Sequence, residues 1–323
     1  MKHLASLILL VWLLAACTGT KEPPLELLLA VGEGTRVVFY PAGTEAAGDV
    51  GAWELGATVV DLARPAGAAR LWALAGDELR AYPLAGSRVD RAPDAVPPEV
   101  VLDLGGACSA GTLQAGEQLL LVDCGALGVW TVALANPALE AIDRTGDPEG
   151  TRYLLGPDDR VVRLRPGLQK FTLVYPDPPG DPLEHEVAGL VAVEGLAADW
   201  REDRLGIAVD RGSDTALYAW TAGSAEPPAL QDRIEAQNLR WLRALPGGWL
   251  LAFENAYLVW RKGRDRAPKS GSFYDAVVTP DDYAYLVGHG RLLVLDLLDP
   301  NLAEHDRTVG AQARTVAYLP TNE

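Results

Sequence analysis

The chain has 323 residues, 49% hydrophobic and 22% charged, a globular composition that excludes a disordered or collagen-like chain. Lys and Arg number 28 against 44 Asp and Glu, a formal net charge of −16. Such a surface repels phosphate backbones, so no nucleic-acid partner is expected. Solubility is the plain reading of the acidity; a basic protein partner or a cation is the other.

The first twenty residues read MKHLASLILLVWLLAACTGT. Lys2 supplies a short positive start, and Leu4 to Leu14 form an apolar run too short to span a bilayer. Small residues then lead to a cysteine. Leu14-Ala15-Ala16-Cys17 resembles the lipobox of bacterial lipoprotein precursors. The resemblance implies cleavage before Cys17, acylation of that cysteine and an extracytoplasmic location, on the periplasmic or cell-surface side. Residues 1–16 would be the signal peptide, and 17–24 the lipidated cysteine with a polar, Pro-containing tether. Each buried CH₂ contributes roughly 0.8 kcal/mol, so two or more acyl chains hold a soluble domain on a membrane. No later stretch is apolar over the length a second membrane helix needs.

From residue 25 to 323 one unit recurs. Ser272 to Pro300, SFYDAVVTPDDYAYLVGHGRLLVLDLLDP, is its clearest copy: three short strands separated by PDD and GHG turns. Central strand pairs of this kind begin at Glu26, Arg70, Gln118, Arg160, Arg204, Trp249 and Tyr283. Their second strands end at Tyr40, Tyr82, Val132, Tyr175, Trp220, Trp260 and Asp296, in steps of 42, 50, 43, 45, 40 and 36. That period suits a four-stranded propeller blade. Inner strands with Pro/Gly/Asp turns precede the pairs, as in TVVDLARPAG, RYLLGPDD, RWLRALPGG and FYDAVVTPDD. VVLDLGG from Val100 and HEVAGLVAVEG from His185 read as outer strands.

The unit resembles the repeat of YVTN and WD40-like β-propellers, although no copy carries a GH…WD pair. The fold class expected is all-β: a single propeller, with seven blades the best count against six or eight. ARTVAYLPTNE, from Ala313 to Glu323, reads as an inner strand with nothing after it to pair with, while the domain opens on a central pair with no inner strand before it. The C-terminal strand should therefore close the N-terminal blade. A solenoid gives no reason for complementary ends, and paired sandwiches give no single period.

Cys108 and Cys124 flank GTLQAGEQLLLVD. A hairpin centred near Gly116 would set them opposite one another, and exported compartments favour the disulfide. Two buried free thiols are the alternative.

Propeller ligands usually sit at the channel mouth, on the loops between the second and third strands and those leading into the innermost strands. The resemblance carries Glu33, Asp77, Asp210, Arg211, Asp214, Glu254, Asn255 and His289 to that face, with Asn238 and Tyr274 on the inward loops. His289, between two glycines, is the titratable group of most interest there. Asp210 to Asp214 lacks EF-hand spacing and reads as a Gly/Asp turn. Asp177, Asp181, Glu184, His185 and Glu186 make an acidic loop where a divalent cation is the alternative to plain solvation. No cofactor is otherwise expected, and no GxSxG, HExxH or P-loop occurs. Trp130, Trp220, Trp241, Trp249 and Trp260 read as packing between blades, although a stacking floor for a sugar or quinone would use the same residues.

Two functions stand at this point. One is a membrane-anchored, non-catalytic scaffold that binds an envelope protein or small ligand. The other is a lactonase-like or metal-dependent hydrolase working at the channel mouth.

Overall fold

The computed structural model describes residues 27–45, 48–175, 182–263 and 267–320. The lipobox and tether, including Cys17, lie outside the described residues. The chain folds into seven four-stranded antiparallel sheets. Blade 1 opens with β1 (Leu27–Glu33), β2 (Arg36–Pro41) and β3 (Gly51–Glu54). Blade 2 is β4 (Val59–Ala63), β5 (Arg70–Ala75), β6 (Glu78–Pro83) and β7 (Val100–Asp103). Blade 3 is β8 (Thr112–Ala115), β9 (Leu119–Asp123), β10 (Val129–Ala133) and β11 (Leu139–Ala141). Blade 4 is β12 (Arg152–Leu155), β13 (Val161–Gly167), β14 (Lys170–Tyr175) and β15 (Leu183–Ala188). Blade 5 is β16 (Gly195–Arg201), β17 (Arg204–Asp210), β18 (Thr215–Thr221) and β19 (Ala229–Ile234). Blade 6 is β20 (Leu239–Leu245), β21 (Gly248–Phe253), β22 (Ala256–Arg261) and β23 (Lys269–Ser270). Blade 7 is β24 (Asp275–Val278), β25 (Tyr283–Gly288), β26 (Arg291–Asp296) and β27 (Glu304–Thr308).

The last strand, β28 (Ala313–Pro320), returns to pair with β1, Leu28 opposite Leu319 and Val31 opposite Val316. It serves as the innermost strand of blade 1 and closes the ring, as the complementary ends require. Closure leaves no blade incomplete.

The central strands read as continuous apolar runs because both of their faces are covered, one by each neighbouring blade. In β1, LLLAVG is buried throughout, and β25 and β26 behave alike. Outer strands face solvent on one edge and carry charge, as EHDRT does in β27. Seven apolar clusters result, one at each junction between blades. The tryptophans serve this packing. Trp249 of blade 6 lies on Gly206 of blade 5, where a Cβ would meet the indole at 2.7 Å. The cluster between blades 3 and 4 is the smallest, made of Leu121, Val129, Tyr153 and Leu155 with partly buried neighbours.

Cys108 and Cys124 form a disulfide, their Cα atoms 5.3 Å apart. The geometry differs from a cross-strand bridge within a hairpin. Thr112 pairs with Asp123, so Cys108 lies ahead of β8, in the loop that descends from blade 2. There its N–H bonds the Gly76 carbonyl at 2.9 Å. The bridge thus fastens an inter-blade loop to the end of β9. Gly111 makes room for it, since a Cβ there would come within 2.3 Å of the Cys108 sulfur. The outer strand foreseen from His185 occurs as β15, but ends at Ala188 instead of running on through LVAVEG.

Candidate functional site

An innermost blade strand pairs on one edge only, which leaves backbone groups of its other edge in need of partners. Side chains of the neighbouring inner strand supply them around the whole ring. From blade 2 to 3, the Asp61 carboxylate accepts the Leu113 N–H at 2.7 Å. From 3 to 4, Gln114 accepts from Leu155 N–H and donates to the Tyr153 carbonyl, each at 3.0 Å. From 4 to 5, Arg152 donates to the Leu196 carbonyl. From 5 to 6, Asp199 accepts the Ala244 N–H at 2.7 Å. From 6 to 7, Arg243 donates to the Ala276 carbonyl and to Asp275 Oδ1, the latter at 2.6 Å. From 7 to 1, Asp275 accepts the Val316 N–H at 3.0 Å. Thr315 completes the circuit, its hydroxyl 2.6 Å from Asp61 Oδ1.

Thr315 also lies 3.0 Å from Asp275 Oδ2, so two carboxylates compete for a hydroxyl with one hydrogen. A proton on Asp61 resolves the conflict: Asp61 donates to Thr315, and Thr315 donates to Asp275. Desolvation, and then the charge of Asp275, push the Asp61 carboxyl up from 3.8 to about 7. Burial likewise raises Asp199.

Above this wall lies the mouth. Loops leading into the inner strands bond there to the turns between second and third strands, as Gly271 N–H does to the Asn255 carbonyl and Val309 N–H to that of Gly290. His289 and Gly290 form the two-residue turn of β25 and β26, with φ of 52° and 75°. Both lie in the left-handed region, as a type I′ hairpin demands. This conformation lifts the His289 ring against Tyr274, centroids 4.7 Å apart. Nδ1 is 3.1 Å from the Tyr274 hydroxyl, and Nε2 is 3.3 Å from Ser272 Oγ. Either neutral tautomer satisfies both contacts: with the proton on Nε2, Tyr274 donates to Nδ1 and Nε2–H donates to Ser272, and with it on Nδ1 both directions reverse.

Two arginines join this group. Arg314 stacks over the Tyr274 ring at 4.3 Å, and Arg240 lies 5.7 Å from the same centroid. They come from β28 and β20, the inner strands on either side of β24. Each is the extra residue of a β-bulge: Gly32 opposes Thr315 while Glu33 opposes Ala313, and Phe253 opposes Leu239 while Ala252 opposes Trp241. A bulge of this kind re-aims one side chain without ending the strand. The β4 inner strand carries the same device, with Val60 as the extra residue.

The other residues expected at the mouth are on that face but serve local structure. Asp210 caps the Gly212 and Leu239 N–H groups at 2.9 and 3.0 Å. Arg211 and Asp214 pair within their own turn. Glu33 accepts from Tyr40 and from Gly310 N–H. Glu254, Asn255, Asp77 and Asn238 are exposed in turns or loops. None of these carboxylates bonds His289, whose side-chain partners are Tyr274 and Ser272. Of the acidic loop, Asp177 and Asp181 lie outside the described residues. His185 is buried against Trp220 and bonds the Ser224 carbonyl, and Glu186 pairs with Lys170. Among the described residues, no three His, Cys, Asp or Glu side chains are grouped to hold a metal ion. A groove of about 520 Å³, lined by Ala68–Arg70, Pro83–Ser87 and Glu99, lies on loops of the opposite face.

No family model matches the sequence, and no curated protein matches it. Solved structures do. A candidate 6-phosphogluconolactonase of Bacteroides uniformis superposes with a TM-score of 0.65 at 11% identity, over 91% of this chain and 99% of that one. A protein of unknown function from Desulfotomaculum acetoxidans gives 0.64 at 11% identity, over 92% and 100%. Citrobacter koseri AztD gives 0.53 at 12% identity, over 91% and 97%. At such identities the likeness establishes the fold alone.

Proposed function

We propose that this chain is an exported, lipid-anchored binding protein whose propeller engages a ligand or partner at the channel mouth without chemistry of its own. One observation carries the reading. The inner-ring carboxylates Asp61, Asp199 and Asp275, which acid–base chemistry would need, are engaged in joining blades, while the mouth presents an exposed cationic and aromatic group. The lipobox-like leader supplies the anchor, and with it a bilayer as the first partner.

A photo-reactive residue placed at Glu254, on the mouth, or at Leu298, on the opposite face, tests the reading in the native envelope. Adducts are expected from position 254 and not from 298. Equal labelling from the two positions would contradict it. Cys17→Ala should release the protein from the membrane fraction. The hydrolytic alternative draws on His289 and on the fold shared with the candidate lactonase; lactone turnover that disappears in His289→Ala would establish it instead.

A further inference from the structure

Resting on that reading and deepening it, we propose that the mouth binds an oxyanion, a carboxylate or phosphate group of a small molecule, through Arg240 and Arg314. The chain carries 44 acidic residues, yet among the described residues neither guanidinium has a carboxylate or any other hydrogen-bond partner. The arginines of the wall below, Arg152 and Arg243, bond carbonyls of the next blade. Arg240 and Arg314 contribute nothing of that kind to the ring.

Their placement is nonetheless specified. Two separate bulges, in strands that flank β24, turn both side chains to one tyrosine ring. The guanidinium carbons are 4.3 and 5.7 Å from its centroid, and so no more than about 10 Å from one another. Two like charges gathered this way repel unless an anion joins them. A guanidinium held over an aromatic ring still has its N–H donors to offer, in the fork geometry that matches carboxylate and phosphate oxygens. Ser272 adds a hydroxyl beside His289, and in the tautomer with the proton on Nε2 it accepts from the ring and keeps its own hydrogen for a ligand. With a net charge of −16 the rest of the surface disfavours anions, so binding must come from these short contacts and not from long-range attraction.

Calorimetric titration of the full chain with inorganic phosphate, with malonate, and with glucose and gluconolactone as neutral compounds tests this. Saturable binding of phosphate or malonate is expected, weakened about tenfold or more in Arg314→Ala, as loss of a charge-assisted hydrogen bond implies. Arg314→Lys, which keeps the charge and loses the fork, should fall between. The anion that binds identifies the ligand group. Unchanged affinity in the Arg240→Ala/Arg314→Ala double variant would overturn the proposal, as would the absence of anion binding to a chain with a normal melting transition. Binding of a neutral compound that is lost in His289→Ala, but indifferent to both arginines, would overturn the anion assignment and leave the mouth reading standing.

Discussion

The wall of the channel and its mouth are built from the same seven inner strands and treat polar residues in opposite ways. In the wall, Asp61, Gln114, Arg152, Asp199, Arg243, Asp275 and Thr315 each reach the next blade, and backbone groups of the inner edge find acceptors or donors there. At the mouth, Arg240 and Arg314 sit on bulges, lie over the Tyr274 ring and hold no acidic partner among the described residues. A polar residue satisfied by the adjacent blade serves the ring. One placed with equal care and left unsatisfied serves something outside the chain.

The contrast can be broken most forcibly in the wall. Asp275 accepts from Arg243, Thr315 and the Val316 N–H at once, so Asp275→Ala leaves a buried N–H without its partner and the half-buried Arg243 guanidinium without its carboxylate, with only carbonyls still bonded to it. A loss of about 3 kcal/mol is expected, read from denaturant unfolding. The disulfide comes next. It secures blade 3, whose junction with blade 4 has the smallest apolar cluster. Cys108→Ser/Cys124→Ser should cost close to 3 kcal/mol by chain entropy, with proteolysis beginning in the loop before β8.

A pH dependence sharpens the proton arrangement at the closing junction. Asp61 rises from 3.8 to about 7 on folding, so the folded chain binds its proton more tightly than the unfolded chain. Its contribution is complete below about pH 4 and is lost as pH rises through 7, at up to about 1.4 kcal/mol per pH unit. Asp61→Asn, which imitates the protonated acid toward Thr315 and Leu113, should flatten that slope. An unchanged slope in denaturant midpoints from pH 4 to 8 would show that the pair shares no proton. The smallest effect belongs to the mouth: Arg240→Ala and Arg314→Ala should each move stability by no more than about 0.5 kcal/mol.

The propeller was legible because strands packed between two blades must be apolar on both faces, and runs such as LLLAVG and YAYLVG stand out for that reason. The complementary ends foretold the pairing of β28 with β1. His289 and Tyr274 were found from their place in the repeat, and the structure sets them in contact. Arg240 and Arg314 were passed over, although they stand in the inner strands RWLRALP and ARTVAYL. What marks them is a bulge, and a bulge is a relation of register between two strands, with no signature in either strand alone. The circuit in the wall was hidden for a different reason. Any donor or acceptor of the right reach can serve an unpaired edge, so four residue types share the task and no motif repeats.

The separation of wall from mouth is tested most directly by the melting temperature of the full chain as phosphate or malonate is added. Wild type, Arg240→Ala/Arg314→Ala and Asp275→Ala would be compared, since a ligand that favours the native state raises its midpoint. Asp275→Ala should lower the unliganded midpoint and keep the anion-induced rise, whereas the double arginine variant should keep the midpoint and lose the rise. A double variant that still responds to the anion, or that melts as early as Asp275→Ala without it, would contradict the account.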